Sequence, residues 1–234
     1  MAEHNLKRTS EGLAELPLVV TLDGPAGSGK TTVARMVADR LGIAYLDSGA
    51  MFRAFALGLG AQSWTWDEDV LRDRLTGLEF ALRGRGGQAA LLLNGEPLGE
   101  EIRQEEVGMW ASNLARVGVV REILKHAQQR LGAGTSLVAE GRDMGSVVFP
   151  QARYKFFLEA APEERARRRW LQLKEMGVDE DLDALIANLR QRDDQDRNRA
   201  IAPLKPADNA VIIDTAGLTP EEVVARIVQE AEQG

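Results

Sequence analysis

The sequence of 234 residues contains no cysteine and two histidines, His4 and His126. The missing thiols exclude disulfide bonds, thiolate catalysis and zinc–thiolate sites, and two histidines are too few to expect a histidine-based metal cage. The sequence also lacks an apolar run long enough to cross a bilayer, and charged residues interrupt Met1–Leu16, where a signal peptide would be apolar. These absences predict a cytoplasmic protein.

The charge balance is acidic, with a formal net charge of −7 at pH 7. Such a balance argues against general binding of nucleic acids or membrane surfaces. With 44% hydrophobic residues, the chain can bury a substantial core. We expect a flexible extension over residues 1–16, followed by one domain over residues 17–234 that functions as a monomer.

Short apolar runs recur along this domain, at Leu18–Leu22, Ile43–Leu46, Leu137–Ala139, Tyr154–Leu158 and Val211–Ile213. Their length and continuity are typical of strands that are buried on both faces of a parallel sheet. Because mostly helical patterns separate them, the sequence predicts an α/β fold with a doubly wound parallel sheet. Sheets of this kind bind ligands beyond the carboxyl ends of their strands.

Two regions depart from this alternation. From about residue 63 to residue 100, glycine-rich turns separate short apolar runs, which predicts a small β-containing insertion. From about residue 162 to residue 203, one helix begins near Pro162 and another ends before Pro203, which predicts a helical lid. We therefore expect the sheet domain to carry one added β-unit and one helical cover.

A glycine-rich loop follows the first predicted strand and matches the pattern G-x-x-x-x-G-K-[ST]. The predicted phosphate-binding set is Gly24, Pro25, Ala26, Gly27, Ser28, Gly29, Lys30, Thr31 and Thr32. The glycines allow consecutive backbone N–H groups to face phosphate oxygens, while Lys30 reaches the β- and γ-phosphates and the Thr31 hydroxyl ligates magnesium. The helix that follows adds its positive N-terminal end. We expect this loop to bind a nucleoside triphosphate together with Mg²⁺.

Arginine is concentrated in one part of this acidic sequence, at Arg165, Arg167, Arg168, Arg169, Arg190, Arg192, Arg197 and Arg199. A second phosphate at ~5 Å from a triphosphate costs on the order of 3 kcal/mol per pair of unit charges at an effective dielectric constant of ~20. Phosphoryl transfer depends mainly on positioning and on neutralising this charge. Because the planar guanidinium binds phosphate bidentately, the cluster indicates a second phosphate site.

We expect different roles for the arginines on the two lid helices. On the first lid helix, Arg165 and Arg167–Arg169 are expected to form mostly a solvated helix face. Near the end of the second lid helix, Arg192, Asp196 and Arg199 are expected to contact ribose and phosphate. The break of that helix before a proline allows one segment to provide both kinds of contact.

Two further motifs follow predicted strands. After the second strand, L-D-S-G-A-M-F-R makes Ser48 a candidate helix N-cap and places Arg53 in the first turns of that helix. After the Leu137–Ala139 strand, E-G-R-D places Arg142 and Asp143 at the carboxyl end. Because parallel strands end at the same edge of a sheet, we expect these residues to lie near the glycine-rich loop.

Together, the loop, these motifs and R-D-D-Q-D-R-N-R-A-I-A-P-L closely resemble the bacterial cytidylate kinase family, from about Leu18 to the C-terminal helix. The loop is shared by many families, whereas E-G-R-D-M-G-S-V-V-F-P and the arginine-rich segment are more specific. The resemblance implies a nucleoside monophosphate kinase that transfers the γ-phosphoryl group of ATP to CMP or dCMP. Phe52 stands where a tyrosine is common in the family, and Glu140 where some relatives carry aspartate.

The resemblance also implies roles for individual residues. Ser112, Arg121 and Asp143 correspond to cytosine readers, and Arg192 and Asp196 to ribose contacts. The implied CMP-binding set is Ser48, Arg53, Ser112, Arg121, Arg142, Asp143, Arg192, Asp196 and Arg199, and the expected catalytic set is Lys30, Arg142, Arg192 and Arg199.

The hydrogen-bonding groups of cytosine agree with this assignment. A carboxylate such as Asp143 accepts from the N4 amino group, while Arg121 and Ser112 donate to the ring acceptors N3 and O2. Uracil would place O4 against the carboxylate and N3–H against the arginine, at a cost of ~1–3 kcal/mol for each buried group left unpaired. The residues therefore predict preference for cytosine.

Two alternatives stay open. One is another small-molecule kinase on the same fold, acting on adenylate, uridylate or a metabolite such as shikimate; the implied cytosine readers and the insertion argue against it. The other is a regulatory NTPase, against which the lack of an Asn-Lys-x-Asp guanine signature argues. The identity of the phosphoryl acceptor would separate these alternatives from the main prediction.

Overall fold

The computed structural model describes residues 17–232, so the predicted extension over residues 1–16 lies outside the described residues. The strands are β1 (Val19–Asp23), β2 (Ala44–Asp47), β3 (Phe80–Arg83), β4 (Ala90–Leu93), β5 (Glu96–Pro97), β6 (Leu137–Gly141), β7 (Tyr154–Glu159) and β8 (Val211–Asp214). Five of them form a parallel sheet in the order β2-β6-β1-β7-β8. Each of these strands coincides with one of the predicted apolar runs, which confirms the α/β prediction.

The helices are α1 (Lys30–Leu41), α2 (Ser48–Leu59), α3 (Glu68–Leu75), α4 (Glu105–Leu114), α5 (Gly118–Gly134), α6 (Pro162–Glu175), α7 (Leu182–Asn198) and α8 (Pro220–Glu232). A short π-helix, Met144–Val148, follows β6. Over residues 17–232, none of the helices combines the length and the apolar character needed to span a membrane.

Side chains of strands β2 and β6 alternate between two hydrophobic clusters. On β2, Leu46 packs with helices α2 to α5, whereas Tyr45 belongs to the cluster that contains α1 and α8. On β6, Leu137 and Ala139 face the first cluster and Val138 faces the second. Helices therefore cover both faces of the sheet, and this is why its strands read as nearly continuous apolar runs.

The predicted insertion is a three-stranded antiparallel sheet, β3-β4-β5. It docks on the outer edge of β2, where the Gly86 N–H donates to the Ile43 carbonyl over 2.8 Å and Ala44 pairs with Gly86. The ring of Phe80 packs against that of Phe55 on α2, with centroids 5.4 Å apart. The insertion thus covers a sheet edge that would otherwise be open.

Helices α6 and α7 occupy the region predicted as a lid and pack against each other. Few of their side chains are buried: Arg165 and Ala166 on α6, and Asp193 on α7. A helix pair with so little buried surface has few contacts that hold it to the sheet domain. Its movement as a lid stays a prediction.

Candidate active site

The glycine-rich loop connects β1 to α1 at the carboxyl edge of the sheet. Gly24 has a φ of 148°, and a Cβ at this position would lie 2.0 Å from the Leu158 carbonyl oxygen on β7. Gly29, with a φ of 84°, is the N-cap of α1. Other residues disfavour both conformations, so the glycines determine the path of the loop and its approach to the neighbouring strand.

Lys30 is buried in this loop, with a relative exposure of 4%. Its ammonium group donates to the Pro25 carbonyl over 2.7 Å. Burial, together with the positive charge of Arg142, lowers the pKa of Lys30 to about 7. An anion that enters the loop would favour the charged form, so the lysine is prepared to respond to a phosphate ligand.

Thr31 and Glu140 connect the loop to β6. The Thr31 hydroxyl donates to the Glu140 carboxylate over 2.7 Å, and the Tyr45 hydroxyl donates to the other carboxylate oxygen over 2.6 Å. Burial and the nearby Asp47 raise the pKa of Glu140, and burial also raises the pKa of Tyr45. A hydroxyl and a carboxylate beside a phosphate-binding loop are the hard oxygen donors that Mg²⁺ prefers, so these residues fit the implied metal.

Asp23, at the end of β1, fixes the segment after β6. Its carboxylate accepts from the backbone N–H groups of Met144 and Gly145, each over 2.8 Å. Burial raises the pKa of Asp23 to about 7, although these two hydrogen bonds oppose the shift. The contact holds Arg142 and Asp143, which directly precede Met144, close to the glycine-rich loop.

A cleft of about 260 Å³ opens beside the loop and reaches α4 and α7. On the loop side it is lined by Ala26, Gly27, Lys30 and Thr31. All nine residues of the implied CMP-binding set also line it: Ser48, Arg53, Ser112, Arg121, Arg142, Asp143, Arg192, Asp196 and Arg199. Residues from several separate segments of the chain therefore meet in one space next to the phosphate-binding loop.

Within the cleft, two carboxylates are paired with arginines. Asp143, 4% exposed, forms ion pairs with Arg121 and with Arg199, the latter over 3.4 Å. Arg142 donates to Asp196 over 2.8 Å. Burial alone would raise the pKa of Asp196, but the guanidinium groups of Arg142, Arg199 and Arg192 together lower it. The lowered pKa favours the anionic form of Asp196 among the arginines of the cleft.

Phe52 also contributes to this arrangement. Its ring lies beneath the Arg121 guanidinium, 5.7 Å from the ring centroid to the guanidinium carbon. This distance allows a cation–π contact. Phe52 therefore supports Arg121 through its ring and needs no hydroxyl for that contact.

Comparison with known families agrees with this geometry. The family model described as cytidylate kinase matches residues 20–233. The chain belongs to the cytidylate kinase family.

Individual relatives support the same assignment. The cytidylate kinase of Nitratidesulfovibrio vulgaris is 61% identical over 211 residues, which cover 90% of this chain and 91% of the relative. The cytidylate kinase of Maridesulfovibrio salexigens is 55% identical over 219 residues, covering 94% and 98% respectively. A solved shikimate kinase from Bacteroides thetaiotaomicron covers 92% of this chain and 98% of its own at 14% identity, with a TM-score of 0.47, values too low to add to the family assignment.

Two sequence expectations about this cytidylate kinase family member are wrong. Ser48 is not the N-cap of α2: it is the first helical residue, and the N-cap is Asp47, whose carboxylate accepts from the Ala50 N–H over 2.9 Å. Arg165 does not belong to a solvated face, because it is 1% exposed and ion-paired with Asp193. The helix begins one residue later than the sequence suggested, with Asp47 as its cap, and Arg165 turns inward because its partner Asp193 is buried.

The other arginines of α6 agree better with the expected solvated face. Arg167 and Arg169 are exposed, and Arg168 forms the expected pair with Glu164 over 3.1 Å. Arg168 also donates to the Thr215 carbonyl over 2.6 Å. It therefore links α6 to the end of β8 rather than standing free in solvent.

Sequence reasoning missed three supporting residues of the site: Asp23, Tyr45 and Arg165. Asp23 carried a usable signal, because an acidic residue that ends an apolar strand directly before the loop needs a buried hydrogen-bond partner. Tyr45 gave none, since its phenol meets a carboxylate 95 residues away in the sequence. The roles of the nine cleft residues in binding stay predictions.

Proposed function

We propose that this protein transfers the γ-phosphoryl group of ATP to CMP and dCMP, forming CDP and dCDP. The observation that carries the proposal is the common cleft, in which the residues implied for cytosine, ribose and phosphate border the glycine-rich loop at Lys30. Family membership supports the same reaction, because relatives named cytidylate kinase align over nearly their whole length.

On the donor side, the loop binds the phosphates of ATP. Its backbone N–H groups and the N-terminal end of α1 provide positive potential, and Lys30 moves from the Pro25 carbonyl to the β- and γ-phosphate oxygens. The nearby triphosphate restores the charged form of Lys30. Binding and charge neutralisation at the donor therefore occur together.

Thr31 and Glu140 would hold Mg²⁺ through the hydroxyl and carboxylate oxygens that meet over 2.7 Å. When bound, the metal neutralises charge on the β- and γ-phosphates. Tyr45, which donates to the second oxygen of Glu140, keeps that carboxylate in one orientation.

On the acceptor side, Asp143 accepts from the cytosine N4 amino group, and Arg121 and Ser112 donate to the ring. The acceptor phosphate lies among Arg53, Arg142 and Arg199, with Ser48 at its edge, and Arg192 and Asp196 contact the ribose. These arginines offset the repulsion between two phosphates, which is the main barrier to bringing them together. The phosphate oxygen is already anionic, so the protein needs no general base.

The test is to incubate the protein with ATP and Mg²⁺ and to measure ADP and product nucleotide with CMP, dCMP, UMP, AMP and GMP in parallel. We expect stoichiometric CDP or dCDP and far lower efficiency with the other three acceptors. Preference for UMP or AMP would overturn the cytosine assignment while leaving a kinase. Phosphate release that no acceptor changes would overturn the kinase itself.

A further inference from the structure

Arg165 lies on α6 and is almost completely buried, yet it does not line the cleft. Its Nη1 donates to the Ala26 carbonyl in the glycine-rich loop over 2.7 Å, and its Nε donates to the Ala160 carbonyl over 2.9 Å. A Cβ on Gly27 would lie 3.3 Å from the Cβ of Arg165. The arginine therefore packs directly against the phosphate-binding loop on the side away from the cleft.

The same guanidinium holds α7. Its Nη1 and Nη2 donate to the two carboxylate oxygens of Asp193, the Nη1 bond being 3.1 Å long. Asp193 is the one buried residue of α7, a helix that lies entirely within the described residues. Its neighbours Arg192 and Asp196, on the same helix, line the cleft. One side chain thus joins the donor loop to the helix that carries acceptor residues.

The geometry of the peptide bond gives this contact a consequence for phosphate binding. In a trans peptide the C=O and the following N–H point in opposite directions. Because Arg165 holds the Ala26 carbonyl, the N–H of Gly27 points away from Arg165, and Gly27 lines the cleft. Release of the carbonyl would free this peptide to rotate and would misdirect an N–H that is positioned to bind phosphate.

Stability alone does not explain a buried ion pair. Well-packed hydrophobic residues of similar volume often replace such a pair without loss of stability, since removing two charges from water is costly. An arginine fork, in contrast, fixes the direction of both partners at once. The ion pair therefore fixes the relative orientation of Arg165 and Asp193, which an apolar contact would not do.

We propose that Arg165 is a positioning residue that, through Ala26 and Asp193, holds the phosphate-binding loop and the acceptor residues of α7 in their productive relative orientation. It touches neither nucleotide. The inference deepens the proposed function and rests on it for the acceptor side, whereas the effect on the loop concerns nucleotide binding alone.

Two variants test the proposal. Arg165→Lys keeps the charge but replaces the fork by a single ammonium group, which cannot serve the Ala26 carbonyl and both Asp193 oxygens together. The double variant Arg165→Met, Asp193→Leu removes both charges, which favours stable folding. Arg190→Lys is the matched control, because Arg190 and Glu163 also pair α6 with α7 but are exposed, with side-chain exposures of 61% and 51%.

We expect both test variants to lower kcat/KM for ATP by about 10²-fold, the cost of a misplaced reacting group. We also expect them to weaken the binding of ADP alone, measured by calorimetry, by about tenfold. The Arg190→Lys control should stay within about twofold of the wild type in both measurements. Circular dichroism and thermal unfolding verify that each protein is folded at the assay temperature.

The proposal is overturned if a folded Arg165→Lys protein and the folded double variant both retain wild-type kcat/KM and ADP affinity. It is also overturned if the Arg190→Lys control loses as much activity as they do, because the effect would then come from general contact between the helices. If the wild type binds ADP but phosphorylates no CMP, the proposed function fails, and the ADP measurement still decides the role of Arg165 in the loop.

Discussion

Asp143→Asn is the substitution that most directly tests how the cleft reads the base. Asp143 is 4% exposed, so a base that meets it does so away from water. Uracil mismatches two buried groups, at ~1–3 kcal/mol each, which corresponds to a preference for CMP over UMP of roughly 30-fold to 10⁴-fold. An amide removes the mismatch with O4, because its N–H₂ can donate to that oxygen. The preference should therefore fall by about 10-fold to 100-fold.

The assay compares kcat/KM for CMP with kcat/KM for UMP at saturating ATP. Asp143→Asn leaves Arg121 and Arg199 without their carboxylate, and breaking such a buried pair costs on the order of 3–5 kcal/mol of stability. A ratio of efficiencies cancels any loss of folded protein. Asp196→Asn is the matched control: it too removes a carboxylate paired with an arginine, but one expected to face ribose, so both efficiencies should fall together. An unchanged ratio in Asp143→Asn would refute the base-reading role.

Three further predictions concern the phosphate-binding loop. Lys30→Ala should lower kcat by about 10³-fold in a protein whose circular dichroism is unchanged, and substantial activity would contradict the proposed donor site. Because the pKa of Lys30 is about 7 without nucleotide, Lys30 should take up about one proton when ADP binds near pH 8.5, and little when ADP binds near pH 6. Calorimetry in buffers of different ionisation enthalpy measures this uptake, which Lys30→Arg should abolish. Gly24→Ala should reduce the free energy of unfolding in urea by about 3 kcal/mol, because its Cβ would collide with the Leu158 carbonyl oxygen. Gly58→Ala in α2 is the control: its Cβ would meet no neighbouring atom within 4 Å, so the free energy of unfolding should rise by about 0.5–1 kcal/mol.

Much of the fold was predictable because it depends on local sequence. Each strand of the parallel sheet is a short apolar run, and alternate residues of β2 and β6 enter opposite clusters, as a strand buried on both faces requires. The insertion was predictable for a similar reason, since its glycine-rich turns separate short apolar runs. Helix termini were less predictable: Asp47 and Ser48 are both good N-caps, and the sequence does not say which one stops short of the helix.

The candidate site divides in the same way. Residues of the loop and of the strand-end motifs could be found from the sequence, because each motif is a short contiguous segment directly after a strand. Ser112, on α4, and Arg121, on α5, came from the family resemblance alone, because nothing in a helical pattern marks a base-reading side chain. The structure brings them to the same cleft as Asp143.

The sequence alone determined the phosphate-binding loop, since its glycines, lysine and threonine lie within residues 24–31 and the positive backbone φ angles there need glycine wherever the chain lies in space. It also determined the alternation of strands and helices. The tertiary structure alone decided which distant polar side chains meet: Thr31 with Glu140, 109 residues apart, and Arg165 with Asp193, 28 apart. The local sequence around a charged helix residue is the same whether that residue faces water or a buried partner. Only folding, which brings the partner and removes the water, distinguishes the two.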